Sequence, residues 1–339
     1  SPGNWWGSSY RGYATVREGI RDSMNILAAK VIVDAGVYNA YNYLKNFGFE
    51  NVTEDDINAN TSLGGLTHGV TVLELTAAYG AIANGGVYHK PTPYTKVLDH
   101  DGNVLLEYKD EGKRVIKETT AFLLTDMMED VISGGGTGGL ARFQKNRMPV
   151  AGKTGTTSSE YDLWFCGYTP YLTASIWTGY DENVSLSGDQ AYHERLWAKI
   201  MNQIDSVKKY KAKSFKMSKD VKKYDICSSS GKVAIKGVCP TSKSEYFAKG
   251  TQPAKCTYHS AFSKKSSGYS NSSSSSGSSS SSESNGSGSK SGSSSSGNSK
   301  SGSNSSKSSS SRTDSGSSRT SKSSSGSSSS KGSGKTVGK

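Results

Sequence analysis

The sequence predicts an α+β domain in which helices flank an antiparallel sheet, followed by a small cysteine-containing appendage and a disordered tail. Three observations lead to this prediction. Segments with helical periodicity precede residue 135, three strand-like segments follow one another between residues 150 and 180, and another helical segment comes after them. Because the links between the three strands are too short for crossover helices, we expect an antiparallel meander.

The first helical segment runs from Thr15 to about Val33 and is interrupted in its middle. Ser, Asp and Asn side chains hydrogen-bond to nearby backbone and favour turns and caps over helix interiors. We therefore expect two short helices that meet at Ser23-Met24-Asn25.

Three further helices are predicted before the sheet. One runs from about Val37 to Asn46. The next begins at the capping box formed by Thr71 and Glu74 and ends at Gly85. The third covers Glu118 to Ile132 and stops at a run of glycines.

Extended structure is expected from Val87 to Leu98, and Asp101-Gly102 should turn it into Val104 to Leu106 as a hairpin. The meander strands are predicted at Val150 to Thr157, Leu163 to Tyr168 and Leu172 to Tyr180. Their aromatic residues are interpreted mainly as core: Trp164, Phe165, Tyr168, Trp177 and Tyr180. A last helix from Tyr192 to Val207 has an apolar face formed by Leu196, Ile200, Ile204 and Val207.

The formal net charge of +12 belongs mostly to the tail. Residues 264–339 contain 42 Ser, 12 Gly and 11 basic residues and carry +9, which leaves only +3 on the first 263 residues. A tract of this composition cannot bury enough apolar area to offset its ordering entropy, so we expect disorder. Nucleic-acid binding is disfavoured, because the tail's charges are dilute and Tyr269 is its only aromatic residue.

Several other classes of site are disfavoured by spacing. Gly152-Lys153-Thr154 is not a phosphate-binding loop, because Arg147 stands where that motif needs Gly and a strand follows. The five histidines have no catalytic partner spacing and are expected at the surface or in loops: His68, His89, His100, His193 and His259. Cys227, Cys239 and Cys256, with His259 three residues after the last, could form a zinc site. They lack a tight Cys-x-x-Cys pair, so the signal for zinc is weak.

Lys153-Thr154-Gly155-Thr156 is the most informative segment. An ammonium group and two hydroxyls on a strand suit an extended peptide that ends in a carboxylate, and Gly155 leaves room for its backbone. The alternative is a surface strand rich in Gly and Thr with a solvated lysine.

Ser23-Met24-Asn25 at a helix junction, followed about 130 residues later by Lys-Thr-Gly on a strand, resembles two motifs of the penicillin-binding proteins and serine β-lactamases. Longer segments resemble class A (bifunctional) penicillin-binding proteins, and the resemblance covers roughly Pro2 to Tyr258. They include Tyr10-Arg11-Gly12, Leu63-Gly64-Gly65, Ala83-Asn84-Gly85-Gly86, Gly136-Thr137-Gly138, Ala151 to Thr157, the run from Asp162 to Pro170, and Trp177-x-Gly179-Tyr180-Asp181.

This resemblance implies a role for each motif residue. Lys153 would supply positive charge near Ser23 and help to organise proton transfer. Ser23 would relay a proton to the leaving amine, and Asn25 would hydrogen-bond the substrate amide. Thr154 and Thr156 would hold the carboxylate of a D-Ala-D-Ala stem peptide or of a β-lactam, and the Thr156 N–H would donate to the oxyanion.

The family's nucleophile, in a Ser-x-x-Lys motif, has no counterpart upstream of Ser23. Matches occur only after Lys153, as at Ser206-x-x-Lys209, and a chain rich in Ser and Lys produces them by chance. We expect the chain to be an N-terminally truncated part of the transpeptidase domain, without a nucleophile and inactive alone. The expected domains are 1–210 for the incomplete transpeptidase, 211–263 for the appendage and 264–339 for the tail.

The family further implies an extracytoplasmic location at the bacterial membrane and wall, with neither metal nor organic cofactor. The membrane would be reached only through an anchor upstream of this chain, and the tail would meet anionic wall polymers. An exported setting favours a disulfide, most plausibly between Cys227 and Cys239. The alternative function is a non-catalytic wall-binding protein with a degenerate groove; a β-lactamase fits worse.

Overall fold

A computed structural model describes residues 3–7, 9–143 and 148–259. The expected tail at 264–339 and the end of the expected appendage lie outside the described residues. The α-helices found within them are α1 Val16–Arg21, α2 Asn25–Ala35, α3 Val37–Asn46, α4 Val72–Ala83, α5 Glu118–Ile132 and α6 Tyr192–Lys208. The strands are β1 Val87–Tyr88, β2 Lys96–Leu98, β3 Val104–Glu107, β4 Lys113–Arg114, β5 Ala151–Thr156, β6 Asp162–Tyr168, β7 Thr173–Gly179, β8 Val221–Cys227 and β9 Ser242–Ala248.

The predicted break between the first two helices is confirmed. Thr15 and Glu18 form a capping box at the start of α1, which ends at Arg21. Ser23 then adopts a left-handed backbone conformation with φ 53°, which few residues other than glycine adopt. The chain turns there and starts α2 at Asn25.

The capping box at Thr71 and Glu74 is also confirmed, and it begins α4. The β2–β3 hairpin forms as predicted. The extended segment is different, because only its two ends are strands. Pro91 and Pro93 lie between those ends, and proline has no N–H to contribute to a sheet.

The predicted meander is confirmed as the antiparallel sheet β5–β6–β7, with Lys153 opposite Cys166. Its two faces are covered by different helices. Phe165 packs on Trp197 of α6, with ring centroids 5.2 Å apart, whereas the Tyr168 hydroxyl bonds to that of Thr125 on α5 at 2.7 Å. Side chains three positions apart on a strand point to opposite faces, so α5 and α6 sandwich the sheet and hold β5 in place.

The sequence periodicity predicted the buried face of α6 only in part, since Ile204 packs against the core and Leu196 is half-buried. Ile200 and Val207, which belong to the expected apolar face, are exposed, and Val207 is 77% accessible. The buried face is instead formed by His193, Glu194, Trp197, Ala198 and Met201. Burial of Trp197 dictates this rotation, because the largest side chain removes the most apolar area from water.

Two interpretations of aromatic and histidine residues are corrected as well. His193 was expected at the surface, but it is only 2% accessible, because α6 turns it inward together with Trp197. Its burial lowers the pKa of the imidazole. Tyr180 was expected in the core but is exposed, since it lies just beyond the end of β7. Phe165 and Tyr168 are buried as expected.

Residues 217–259 form a small unit around the antiparallel pair β8–β9. It is joined to the main domain by a cluster of charges: Arg17 of α1 pairs with Asp126 and Asp130 of α5 and with Glu245 of β9. The Arg17 Nε lies 2.7 Å from the Glu245 carboxylate. Among the described residues, no helix combines the length and the apolarity that crossing a membrane requires.

Glu129 lies on α5 beside this cluster of charges, and its raised pKa leads us to expect that the stability of the fold depends on pH. Burial, reinforced by the charges of Asp126 and Asp130, raises the pKa of Glu129 from 4.5 to about 7. Between these two pH values the folded state binds more protons than the unfolded state, so the stability from this group falls as pH rises from 4.5 to 7. We expect Glu129→Gln to raise the free energy of unfolding by about 1 to 2 kcal/mol at pH 8.

Urea denaturation of the variant at pH 8 and at pH 4.5 tests this, because the gain should disappear at the lower pH. Exposed Glu111→Gln is the control and should shift stability by less than about 0.5 kcal/mol. A gain for Glu129→Gln that is equal at both pH values would contradict the assignment.

Candidate active site

Three segments that are distant in sequence meet at the edge of the sheet: strand β5, the α1–α2 junction and the turn at residues 136–138. The ammonium nitrogen of Lys153 donates to the Ser23 hydroxyl at 2.7 Å and to the Thr154 carbonyl at 2.9 Å. Because β5 is an edge strand of the described sheet, it has one side on which another extended chain can pair.

The position of Ser23 follows from the local chain geometry. The Met24 N–H bonds to the Gly19 carbonyl at 2.9 Å, which closes the turn after α1. Asp22 is held by Arg11 and Arg21 through ion pairs of 2.6 and 2.7 Å. The left-handed conformation of Ser23 is maintained by these surrounding contacts, and unfavourable conformations of this kind are concentrated at functional sites.

Lys153 occupies a desolvated position. Burial lowers the pKa of its amino group from 10.5 to about 8. The group is therefore mostly charged at neutral pH but gives up its proton more readily than a surface lysine. A charged amine in contact with a hydroxyl is suited to stabilise negative charge and to organise proton transfer.

Thr137 joins the site, although sequence reasoning did not select it as a site residue. Its hydroxyl lies 2.6 Å from that of Thr154, and its N–H bonds to the Arg21 carbonyl at 3.3 Å. Gly136 permits this approach, since a Cβ there would lie 2.7 Å from the Arg21 carbonyl oxygen. The Gly-Thr-Gly triplet was the available signal, but it was used only as a family match.

Three other predicted site residues, Gly155, Thr156 and Asn25, lie near this site. Gly155 and Thr156 complete β5, and Thr156 is exposed at its end. A Cβ on Gly155 would contact the Cβ of Trp164 at 3.3 Å. The Asn25 amide donates to the Gly3 carbonyl at 3.0 Å and makes no hydrogen bond with Lys153 among the described residues.

Two cavities found among the described residues do not border Lys153. One, of about 370 Å³, lies between α4 and α5 against Phe215, and the other lies between α4 and the turn at Thr169. The site at Lys153 is instead an open strand edge, which suits an extended ligand.

The expected disulfide between Cys227 and Cys239 is absent, and all four cysteines are free thiols. The ligand atoms of Cys227, Cys239, Cys256 and His259 lie within 4.8 Å of one another. The sulfur atoms gather around one point instead of pairing. The sequence carried only a weak signal for this convergence, because the four residues come from separate segments of the appendage and contain no Cys-x-x-Cys pair.

Comparisons with known proteins match both the main domain and the appendage. A family model described as the penicillin binding protein transpeptidase domain matches residues 2–204, and one described as the C-terminal domain of penicillin-binding protein 1A matches residues 217–261. Penicillin-binding protein 1A of Clostridium botulinum is 39% identical over 196 residues, which cover 57% of this chain and 24% of that protein. Penicillin-binding protein 2D of Bacillus subtilis is 33% identical, over 76% of this chain and 38% of its own length.

Solved structures give the same fold. Penicillin-binding protein 1A from Haemophilus influenzae superposes with a TM-score of 0.64 at 24% identity, over 75% of this chain and 42% of that one. The PonA1 protein from Mycobacterium tuberculosis, solved in complex with penicillin V, has a TM-score of 0.51 at 22% identity, over 63% and 61% of the two chains. The chain spans less than two fifths of the length of the two curated relatives.

Proposed function

The chain belongs to the penicillin-binding protein transpeptidase family, and we propose from this membership that it supplies the substrate-binding half of a DD-transpeptidase that cross-links peptidoglycan. The single observation that supports this most strongly is the partly buried contact of 2.7 Å between the Lys153 amine and the Ser23 hydroxyl. Solvated surface lysines on Thr-rich strands do not have a pKa lowered to about 8, so the simpler interpretation of this strand is disfavoured.

In the proposed acylation, the serine oxygen of a Ser-x-x-Lys motif encoded upstream bonds to the carbonyl carbon of the penultimate D-Ala. The bond from that carbon to the nitrogen of the terminal D-Ala breaks. Ser23 relays a proton to the leaving nitrogen, and Lys153 stabilises the charge on Ser23 during the relay. An acceptor amine then attacks the acyl-enzyme, forms the cross-link amide and releases the serine with its proton.

Substrate binding is assigned to the rest of β5. Thr154 and Thr156 bind the terminal carboxylate, and Gly155 allows the stem peptide to lie close to the strand. The N–H of Thr156 donates to the oxyanion, a contribution of about 3 kcal/mol to transition-state stabilisation. Asn25 hydrogen-bonds the substrate amide, which requires it to exchange its present partner, the carbonyl of Gly3.

The proposed organisation keeps the boundaries expected from the sequence. Residues 1–210 belong to the transpeptidase, 211–263 form the appendage, and 264–339 meet anionic wall polymers. Catalysis takes place on the extracytoplasmic face of the membrane. The Ser206 hydroxyl donates to the Gln203 carbonyl at 2.7 Å on α6, which favours an upstream nucleophile over Ser206.

Labelling with a fluorescent penicillin tests the proposal. The 339-residue chain alone should remain unlabelled, whereas the product extended through the upstream Ser-x-x-Lys codons should carry one covalent label. Thr154→Val with Thr156→Val should slow labelling of the extended product by about 100-fold. Thr241→Val, in the appendage, is the control and should label normally.

An extended product that contains Ser-x-x-Lys, folds and yet takes up no penicillin would contradict the transpeptidase. If that same product sedimented with purified wall, the non-catalytic wall-binding function would replace it. Covalent labelling of the 339-residue chain alone would contradict the upstream nucleophile.

A further inference from the structure

In the appendage, three thiols and one imidazole come together at a single point. None of these four side chains takes part in the proposed acyl transfer. Cys227 ends β8, Cys239 and Cys256 lie in later turns, and His259 follows three residues after Cys256. We propose that these four residues, the Cys₃His cluster, bind one structural zinc ion.

The distances fit a tetrahedral ion. The His259 Nδ1 lies 3.5 Å from the Cys227 sulfur and 3.7 Å from the Cys256 sulfur. Zinc bonds of about 2.3 Å to sulfur and about 2.1 Å to nitrogen place such atoms about 3.6 Å apart in a tetrahedron. All four ligand atoms lie within 4.8 Å of one another, so small shifts would close the site around the metal.

Burial and hydrogen bonding support a closed, structural site. Cys227 and Cys256 are at most 2% accessible. The Ser230 hydroxyl donates to the Cys256 sulfur at 3.2 Å, and the Ile235 N–H donates to the Cys239 sulfur at 3.3 Å. Donors that point at sulfur stabilise a thiolate and orient it toward a metal.

Backbone hydrogen bonds hold the three cysteines in position without any contribution from a metal ion. The Gly231 N–H bonds to the Cys227 carbonyl at 2.9 Å and closes the turn after β8. The Cys256 N–H bonds to the Val233 carbonyl at 2.8 Å, and the Cys239 N–H bonds to that of Ile235 at 3.0 Å. Backbone hydrogen bonds therefore fix the chain at each cysteine, and the three sulfur atoms meet at the same point.

The appendage also needs such a stabilising element. Of residues 217–259, the buried apolar ones are Val221, Cys227 and Cys256. A unit of about 40 residues with so small a core depends on a disulfide, a metal or a partner surface. A disulfide would use two sulfurs and leave the third thiol and His259 without a function, whereas zinc uses all four ligands. Thiolates and imidazole are also ligands that zinc prefers.

Metal analysis of the complete 339-residue chain tests the proposal. Protein purified under reducing conditions and equilibrated with zinc should retain one zinc ion per chain after gel filtration. Its cobalt-substituted form should show thiolate-to-cobalt charge transfer and the strong visible bands of a tetrahedral ion. Retention of less than about 0.2 zinc per chain by the folded protein would overturn the proposal.

Matched variants locate the site. Cys227→Ala and His259→Ala should lower zinc affinity at least about 100-fold in competition with a chromophoric chelator. The controls Cys166→Ala and His100→Ala remove a thiol and an imidazole outside the cluster and should retain one zinc. Equal zinc content in all four variants would overturn the assignment.

A milder pair of variants covers the case in which loss of a ligand prevents folding. Ser230→Ala removes the donor to Cys256 and should weaken zinc binding by about 10-fold, whereas exposed Ser229→Ala should not change it. Equal affinities for these two variants, or a disulfide within the cluster of the zinc-loaded protein by mass spectrometry, would contradict the proposal.

Discussion

Lys153→Met, in the product that includes the upstream Ser-x-x-Lys, is expected to slow acylation by penicillin about 1,000-fold. Methionine preserves the length of the side chain but removes the charge that contacts the Ser23 hydroxyl at 2.7 Å. The second-order rate constant of labelling with a fluorescent penicillin measures the effect. Lys199→Met, on the exposed face of α6, is the matched control and should acylate at the wild-type rate.

The pH profile identifies the charge as the cause. Because burial lowers the pKa of Lys153 to about 8, wild-type acylation should decline as pH rises through that value and the ammonium loses its proton. The residual rate of Lys153→Met should lack this decline. A wild-type profile that is flat from pH 7 to 9, or a variant that acylates normally, would contradict the proposed role of Lys153.

As pH rises, the stability of the wild-type fold should change in the direction opposite to the acylation rate. The folded pKa of Lys153 lies below its unfolded value of 10.5, so the unfolded state binds more protons and wild-type stability rises between pH 8 and 10.5. At pH 7 the buried charge destabilises the fold. We expect Lys153→Met to raise the free energy of unfolding there by about 1 to 2 kcal/mol, after loss of its hydrogen bonds is included. A variant that is both inactive and unstable would indicate a structural role.

Trp197→Ala is expected to destabilise the domain by about 3 to 5 kcal/mol. Trp197 is completely buried, packs edge-to-face on Phe165 and donates from Nε1 to the Ala174 carbonyl at 2.9 Å. Alanine would leave a cavity between α6 and the sheet and an unsatisfied carbonyl on β7. Urea denaturation at pH 7 measures the loss.

Val207→Ala on the same helix is the control for this change. Periodicity assigned Val207 to the apolar face of α6, but it is 77% accessible, so we expect a shift within about 0.5 kcal/mol. A loss at Val207 that equals the loss at Trp197 would mean that α6 packs through the face that the sequence suggested.

Much of the fold was predictable because its signals are local. The capping box predicted at Thr71 uses a partner three residues away, and the turn at Ser23 follows from residues that disfavour helix interiors. The meander follows from the length of its links. Ser23 and Lys153 were assigned to one site by motif resemblance, and the structure places them in contact.

The predictions that were wrong or incomplete depend on contacts between residues that are distant in sequence. The face of α6 depends on what the sheet opposite can accommodate, and burial of Trp197 there brought His193 inward with it. A hydropathy pattern ranks residues by type and holds no information about the shape of that surface. Thr137 was missed for the same reason, since its role depends on Thr154, 17 residues away.

The net charge follows from the composition alone. The first and last residues of most helices are set by interactions within a few residues of the chain, so the amino-acid sequence by itself determines them. Contacts between distant residues depend on how the elements pack. Packing decided the desolvation that lowers the pKa of Lys153, the buried face of α6, and the convergence of Cys227 and His259 across 32 residues. The pKa shift requires low-dielectric surroundings, and the other two features require close packing. Both conditions exist only after the chain has folded.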